Sequence, residues 1–383
     1  MIKKKHYLQC TRCVMNSTAK NIIFDKLGVC NFCTDFLERS KHILHEKEAA
    51  KQGRLSVLVQ AIKKDGQYKP YDCIVGISGG VDSSWVLVQA VELGLRPLPV
   101  HMDNGWNSEL AQNNISNLVQ KLNLHLYTHV IDWVEYKALM QAFFDADVID
   151  VELLYDNAML AVCYEQARKF GVKYILAGTN MATEGMRMPD GWNWYKRDVS
   201  NIKGLAEKFG NVSIKSFPTH STIDYIVDEF LRRIRWISFL DYFNYNKFDA
   251  LNVLERDYGY KKYQFKHYES IFTRFYQGYI LPRKFNVDKR LLHLSTLLVA
   301  GQISRDEAMD GLKGVAYLHE RDMDDDVKYF LKKMGWSQDD LNFYIGRPEI
   351  AHDYYKSEKW FYDFLIKLMG ENLKLKMKKW LQR

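Results

Sequence analysis

The sequence predicts an α/β protein in which a doubly wound parallel sheet follows an N-terminal zinc-binding ribbon and precedes a helical C-terminal domain. Three observations carry that expectation. Two Cys-x-x-Cys pairs, Cys10/Cys13 and Cys30/Cys33, lie sixteen residues apart. An apolar run from Cys73 to Ile77 leads into the loop Ser78-Gly-Gly-Val-Asp-Ser83 and then into a helical pattern. From residue 71 to about 215, strand-like and helix-like segments alternate, as they do in a parallel sheet with right-handed crossovers.

Size and composition set the frame. A chain of 383 residues is too long for one small domain and suits two or three packed units. With 47% hydrophobic residues, 26% charged residues and 7 prolines, it is neither disordered nor collagen-like. No stretch approaches the roughly 18 apolar residues that a membrane span needs, and the start, MIKKKHYLQC, lacks a signal-peptide apolar region, so a cytoplasmic location is expected. The formal charge of +7 is concentrated at the start: residues 1–70 hold 14 Lys/Arg against 6 Asp/Glu, and the remainder holds 40 against 41. A basic excess confined to the first fifth does not make a nucleic-acid surface, and no nucleic-acid partner is expected.

The ribbon, residues 1–40, comes first. In a reducing compartment two such cysteine pairs make a metal site rather than a disulfide framework. Each knuckle aims two thiolates at one point, and Cys10, Cys13, Cys30 and Cys33 together close a tetrahedral shell around a structural Zn²⁺ with no position left for water. From Asp35 to about Lys64 the pattern is helical and charged, so residues 41–70 read as a helical connector.

Next comes the phosphate loop. A strand that feeds a glycine loop and then a helix points backbone N–H groups and the positive helix end at one spot, where a polyphosphate binds. Gly76, Gly79 and Gly80 keep side chains out of the way, and Ser78, Ser83 and Ser84 add hydroxyls. Asp82 is an acid beside an anion site, which assigns it to a bridging Mg²⁺. The loop lacks the lysine of G-x-x-x-x-G-K-[ST].

Further along, Arg96 to Gly105 reads as the second strand, Leu124 to Ile131 as the third, and Val172 to Ala177 as the next, which ends in Gly178-Thr179-Asn180. Helical patterns cover Glu109–Leu122, Trp133–Phe144 and Asp156–Phe170. Lys196, close after Trp192 and Trp194, is assigned to neutralising phosphate charge in the transition state. These segments make residues 71–215 one nucleotide-binding domain. Beyond it, residues 216–383 read as a helical domain for substrate or partner, with Tyr225 to Tyr242 as one long helical segment. Between Lys266 and Arg290, cations and aromatics crowd together. His267, Glu269, Arg274, Lys284 and Arg290 are the candidate groups for an anionic nucleotide sugar, guanidiniums serving phosphate and rings serving base or sugar.

The loop Ser78-Gly79-Gly80-Val81-Asp82-Ser83 resembles the SGGxDS pyrophosphate loop of the N-type ATP pyrophosphatases, whose relatives include GMP synthetase, NAD synthetase and asparagine synthetase. That resemblance implies an adenine nucleotide alpha-hydrolase-like PP-loop domain that splits ATP between its α and β phosphates. It further implies adenine-side contacts at Met102 and Asp103 and ATP contacts at Gly178 and Thr179. Glu184 is implied as a second Mg²⁺ ligand, by the similarity of Gly178-Thr-Asn-Met-Ala-Thr-Glu184 to the corresponding NAD synthetase segment, from which Asn180 departs in replacing the usual aspartate.

In their order, the four-cysteine ribbon, SGGVDSS, AGTNMATE and the block KHYESIFTRFYQGY to DKRLLHLSTLLVAGQISRDEA resemble the N-acetyl sugar amidotransferase family of surface-glycan pathways, those of lipopolysaccharide O-antigen, pseudaminic acid and legionaminic acid among them. The resemblance runs from about residue 7 to about residue 320. It implies that ATP activates the acetamido oxygen of a nucleotide-linked sugar as an O-adenylyl imidate and that ammonia then displaces AMP to leave an acetamidine. Asp82, Glu184 and Lys196 would be the catalytic groups. No glutaminase pattern is recognisable in the chain, and the resemblance implies a separate class I glutaminase and a barrel-shaped ammonia-channelling subunit as partners. The rival enzyme is a PP-loop tRNA-modifying protein, which as a thiolase would need a reactive cysteine near ATP. A non-catalytic nucleotide-binding subunit is the rival from another class, and the complete loop with its acids argues against it.

Overall fold

The computed structural model describes residues 7–210, 214–263, 269–317 and 319–368. Among them, β1 (Cys73–Gly76), β2 (Pro97–Asp103), β3 (Tyr127–Val130), β4 (Tyr174–Ala177) and β5 (Arg235–Ser238) form one parallel sheet in the order β3-β2-β1-β4-β5. Register is set by pairs such as Ile74 with Leu98 on one side and with Ile175 on the other. The chain winds outward from β1 to β3, then returns to lay β4 against the free side of β1. That reversal between β1 and β4 is the switch point, beyond whose carboxyl ends an open α/β sheet binds its ligand.

The helices in chain order are α1 (Asn31–Leu44), α2 (Glu48–Gly66), α3 (Val81–Glu92), α4 (Glu109–Lys121), α5 (Trp133–Asp145), α6 (Leu153–Lys169), α7 (Met181–Glu184), α8 (Val199–Leu205) and α9 (Thr222–Ile226). They continue with α10 (Lys247–Tyr258), α11 (Ile271–Phe275), α12 (Leu281–Lys284), α13 (Lys289–Val299), α14 (Arg305–Asp310), α15 (Glu320–Met334), α16 (Gln338–Gly346) and α17 (Lys359–Leu368). Strand side chains alternate between two cores, as the period of two requires. Cys73, Val75 and Leu176 face a core with α2, α3, α4 and α10. Ile74, Val100 and Ile175 face the other, which takes in α5, α6, the ribbon cysteines, α13 and α15.

One segment departs from its expected form. Tyr225 to Tyr242 does not run as one helix: α9 and a π-helical turn, Val227–Leu231, end at Arg233, which sits at φ 58°, and the chain then enters β5. The arginines at 232, 233 and 235 suggest a solvated helix face. What decides the conformation is the pairing of Arg235–Ser238 with Tyr174–Ala177, which buries Ile237 against the sheet and overrides local propensity. The sheet therefore extends past residue 215. The described part of the region beyond β5 is helical, as expected.

The ribbon packs onto this framework at two places. Arg305, at the start of α14, donates to the carbonyl oxygens of Cys10 (2.9 Å), Thr11 (3.1 Å) and Cys13 (2.8 Å). The Val14 amide donates to Ser295 Oγ of α13. On its other side, Arg39 of α1 donates to the carbonyl of Gly185, just past α7.

Candidate active site

The thiol sulfurs of the ribbon lie close together and buried: Cys10 and Cys33 are 3.8 Å apart, Cys13 and Cys30 3.7 Å, and the four fall within 4.8 Å of one another. Four thiolates held about 2.3 Å from one Zn²⁺ in a tetrahedron stand roughly 3.8 Å apart, so the cluster fits that ion. Backbone N–H groups of Arg12, Cys13 and Cys30 point at the Cys10 sulfur, and that of Met15 at Cys13. Such donors favour the thiolate form that a metal needs.

At the switch point the loop after β1 turns sharply. Gly79 takes φ 85°, a left-handed conformation that a side chain would strain, and a Cβ there would also press on the Ala111 carbonyl oxygen at 3.0 Å. Tyr260 and Tyr263 both donate to the Gly79 carbonyl, at 2.9 and 3.1 Å, and so anchor the loop from outside. The Ser83 hydroxyl accepts from the Ser78 amide and donates to the Gly80 carbonyl. Unlike α4, α5 and α10, which have side-chain caps, α3 starts at Gly80 with none. Its first N–H groups remain available to an anion, with the helix dipole behind them.

These elements open into a cavity of about 520 Å³. Gly76, Ser78, Gly80, Asp82 and Ser83 form one wall, and Gly178, Thr179 and Glu184 continue it. Glu269, Arg274 and Arg290, also named by the sequence, line it too, and the Glu269 carboxylate lies against the glycine loop, 3.5 Å from where a Cβ on Gly80 would sit. Gly178 has to be glycine, since a Cβ would lie 2.8 Å from the Ser83 amide nitrogen. Asn180 caps α7 and donates through its amide to Gly178 O and Thr183 Oγ1, both at 2.9 Å. An ionised aspartate could make neither bond, which explains the departure at this position. Thr183 in turn donates to Asp82 Oδ2, while the Tyr245 hydroxyl donates to Asp82 Oδ1. Each oxygen of Asp82 keeps a second lone pair, so Asp82, with Glu184 in the same wall, suits a hard cation such as Mg²⁺.

Other expected residues lie elsewhere. Ser84 is fully buried, and its hydroxyl finds no partner among the described residues. Gly79 turns its surface to α4 rather than to the cavity. Met102 is buried in the core, and Asp103 accepts from the Gly105 amide and the Asn107 side chain; neither lines the cavity. Lys196 sits behind the wall, paired with Asp150 (2.7 Å) and Asp156 (2.8 Å). Burial works against its charge, but the two aspartates outweigh it and hold its pKa above the ordinary lysine value. Only Asp156 of this trio reaches the cavity. Lys284 is wholly enclosed: its ammonium donates to Asp147 Oδ1 and to the carbonyls of Tyr344 and Arg347. His267 lies outside the described residues.

Sequence reasoning passed over Tyr155, Asp156, Trp236, Lys247, Lys262, Lys289 and His293, all of which line the cavity. One signal was available: Lys289, Arg290, His293, Leu294 and Leu297 share one face of a helix by spacing, and that face of α13 is the wall. Arg290 is fixed by a fork onto Asp288 and by the carbonyls of Gly311 and Gly314. Lys289 pairs with Glu152 at 2.8 Å.

No curated protein matches the chain. Among solved structures, NMN synthetase from Francisella tularensis is similar at 15% identity and a TM-score of 0.29, over 57% of this chain and 98% of that one. NH3-dependent NAD synthetase from Campylobacter jejuni is similar at 16% identity and a TM-score of 0.28, over 56% and 99%. Glutamine-dependent NAD+ synthetase from Acinetobacter baumannii is similar at 15% identity and a TM-score of 0.31, over 69% of this chain and 43% of that one. Likenesses this faint carry no argument about activity. Residues 269–369 match the family described as "LPS biosynthesis protein WbpG-like, C-terminal domain". Arg274, Lys289, Arg290 and His293 fall within that range, so these cavity-lining residues lie in the segment that resembles the C-terminal domain of WbpG-like LPS biosynthesis proteins.

Proposed function

We propose that the chain is an ATP-dependent amidotransferase that turns the N-acetyl group of a nucleotide-activated sugar into an acetamidino group. The observation that carries this reading is one cavity with two kinds of wall. The glycine loop with Asp82 and Glu184 lines it together with Arg274, Lys289, Arg290 and His293, which come from the segment that matches an LPS-biosynthesis family.

An amide oxygen leaves carbon poorly until it is phosphorylated. In the proposed reaction the acetamido oxygen attacks the α-phosphorus of ATP, and the bond to the β-phosphate oxygen breaks. The uncapped N–H groups of α3 and the Ser78 hydroxyl would take up the charge that develops on pyrophosphate. Ammonia then adds to the imidate carbon, AMP departs with the former amide oxygen, and a proton is lost. Asp82 and Glu184 would hold Mg²⁺, which when bound would neutralise phosphate charge. Arg274, Arg290 and Lys289 would orient the anionic sugar nucleotide opposite the loop. A separate glutaminase delivering ammonia through a barrel subunit completes the proposal. The thiolation rival has little to stand on: Cys73 and Cys163 are buried, and burial pushes the Cys163 thiol up to about 12.

The test supplies ATP and ammonium with a panel of UDP- and CMP-linked acetamido sugars, and in parallel with bulk tRNA. The expected result is AMP, pyrophosphate and a sugar product in which NH replaces O, all abolished in Asp82→Ala. AMP formed on tRNA alone would overturn the proposal.

A further inference from the structure

We propose that Tyr245 is the positioning residue of the cation site, its hydroxyl fixing the Asp82 carboxylate in the orientation that receives the metal. This rests on the assignment of Asp82 to a divalent cation. Asp82 is gripped by one donor on each oxygen, Tyr245 on Oδ1 and Thr183 on Oδ2. Rotating the carboxylate breaks at least one of those bonds, so the lone pairs left over face a fixed direction.

Tyr245 does not line the cavity; it reaches Asp82 from behind, 8% exposed and packed in the core of α3 and α10. A phenylalanine would fill that space equally well, so the hydroxyl is the part that packing does not account for. An ionised carboxylate can only accept, so the Tyr245 hydroxyl is the donor of the pair.

Its backbone is fixed as well. Gln302 donates to the Tyr245 carbonyl and accepts from the Lys247 amide, both at 2.8 Å. Lys51 of α2 donates to the carbonyl of Phe243 and to the Asn244 side chain. Four residues upstream, Asp241 accepts from the Met181 amide at 2.7 Å, the first residue of the short helix that ends in Glu184. The stretch 241–245 thus touches both candidate cation ligands, one through a side chain and one through the backbone that carries it.

The test measures Mn²⁺ affinity of the full chain by electron paramagnetic resonance, with a non-hydrolysable α,β-methylene ATP analogue bound. Removal of a hydrogen bond of this kind lowers metal affinity by roughly 10–100-fold. That loss is expected in Tyr245→Phe, with the thermal midpoint followed in parallel to show that the variant is folded. Thr183→Val removes the other donor and is expected to weaken Mn²⁺ in the same range, which keeps the inference testable should Tyr245→Phe not fold. Mn²⁺ affinity unchanged in both, but lost in Asp82→Ala, would overturn the role of Tyr245 alone. Affinity unchanged in Asp82→Ala too would overturn the cation assignment itself and this inference with it.

Discussion

The guanidinium of Arg305 donates to the carbonyl of Cys13 at 2.8 Å, a contact that spans 292 residues of chain. Through it the first cysteine knuckle is bolted to the start of α14, next to the helix that supplies the cationic wall. Arg305→Ala removes three charge-assisted bonds and is expected to destabilise the protein by about 1–3 kcal/mol, read by chemical denaturation. Arg305→Lys should recover only part, because a single ammonium cannot reproduce the fork.

Removing the metal should do more than removing its bolt. Chelation, or Cys30→Ser, is expected to abolish bound zinc in elemental analysis and to lower the thermal midpoint by roughly 5 °C or more. Full zinc content in the Cys30→Ser variant would refute a four-thiolate site.

Two glycines make a matched pair. Gly178→Ala drives a methyl group against the backbone of Asp82 and Ser83, at 3.1 and 2.8 Å, and should weaken ATP-analogue binding at least about tenfold while leaving the fold intact. Gly53, within α2, has open space around it, and Gly53→Ala should leave binding alone and stabilise by up to about 1 kcal/mol. Calorimetric titration of both variants separates a loop effect from a general one.

Lys284 and Arg290 looked alike in the sequence and should now behave differently. Lys284→Met strips a buried ammonium from Asp147 and two carbonyls and is expected to cost about 2–4 kcal/mol of stability. Its effect on KM for the proposed sugar-nucleotide substrate should be slight. Arg290→Met should raise that KM instead, with a smaller loss of stability.

His352 gives the protein an acid limit. Its Nε2 accepts from the Asp150 amide and its ring N–H at Nδ1 donates to Asn201, so a second ring proton would face another donor. Burial first, in spite of Asp150, drops its pKa to about 4. The unfolded chain takes up the proton near pH 6.5, which the folded one refuses until about 4. Stability is therefore complete above about pH 6.5 and falls as pH drops toward 4, by roughly 1–3 kcal/mol for this group. Thermal melts across that window should show a shallower slope in His352→Gln.

How much of this was legible depends on how local each signal is. β1, its loop and α3 were readable because an apolar run, two glycines and a helical pattern are contiguous. β5 was not, because four residues that follow two arginines and begin with a third become a strand only by pairing with β4. Asp82, Gly178 and Glu184 were named from motifs, yet Tyr245 carries no motif at all. Its partner lies 163 residues away, and only the folded chain brings the hydroxyl to the carboxylate. Lys284 shows the opposite case, since its cationic neighbourhood suggested a ligand and its burial gave it to Asp147.

The two walls of the cavity come from stretches of sequence about two hundred residues apart. The loop at residues 76–84 is constrained by its own backbone, by Ala111 and by two tyrosines, so almost any change there is felt at once. The facing side of α13 hangs on side-chain forks and pairs that can be exchanged one at a time. Under the proposed function, substitutions at residues 289–297 would alter acceptor binding while leaving the loop proposed to handle ATP undisturbed.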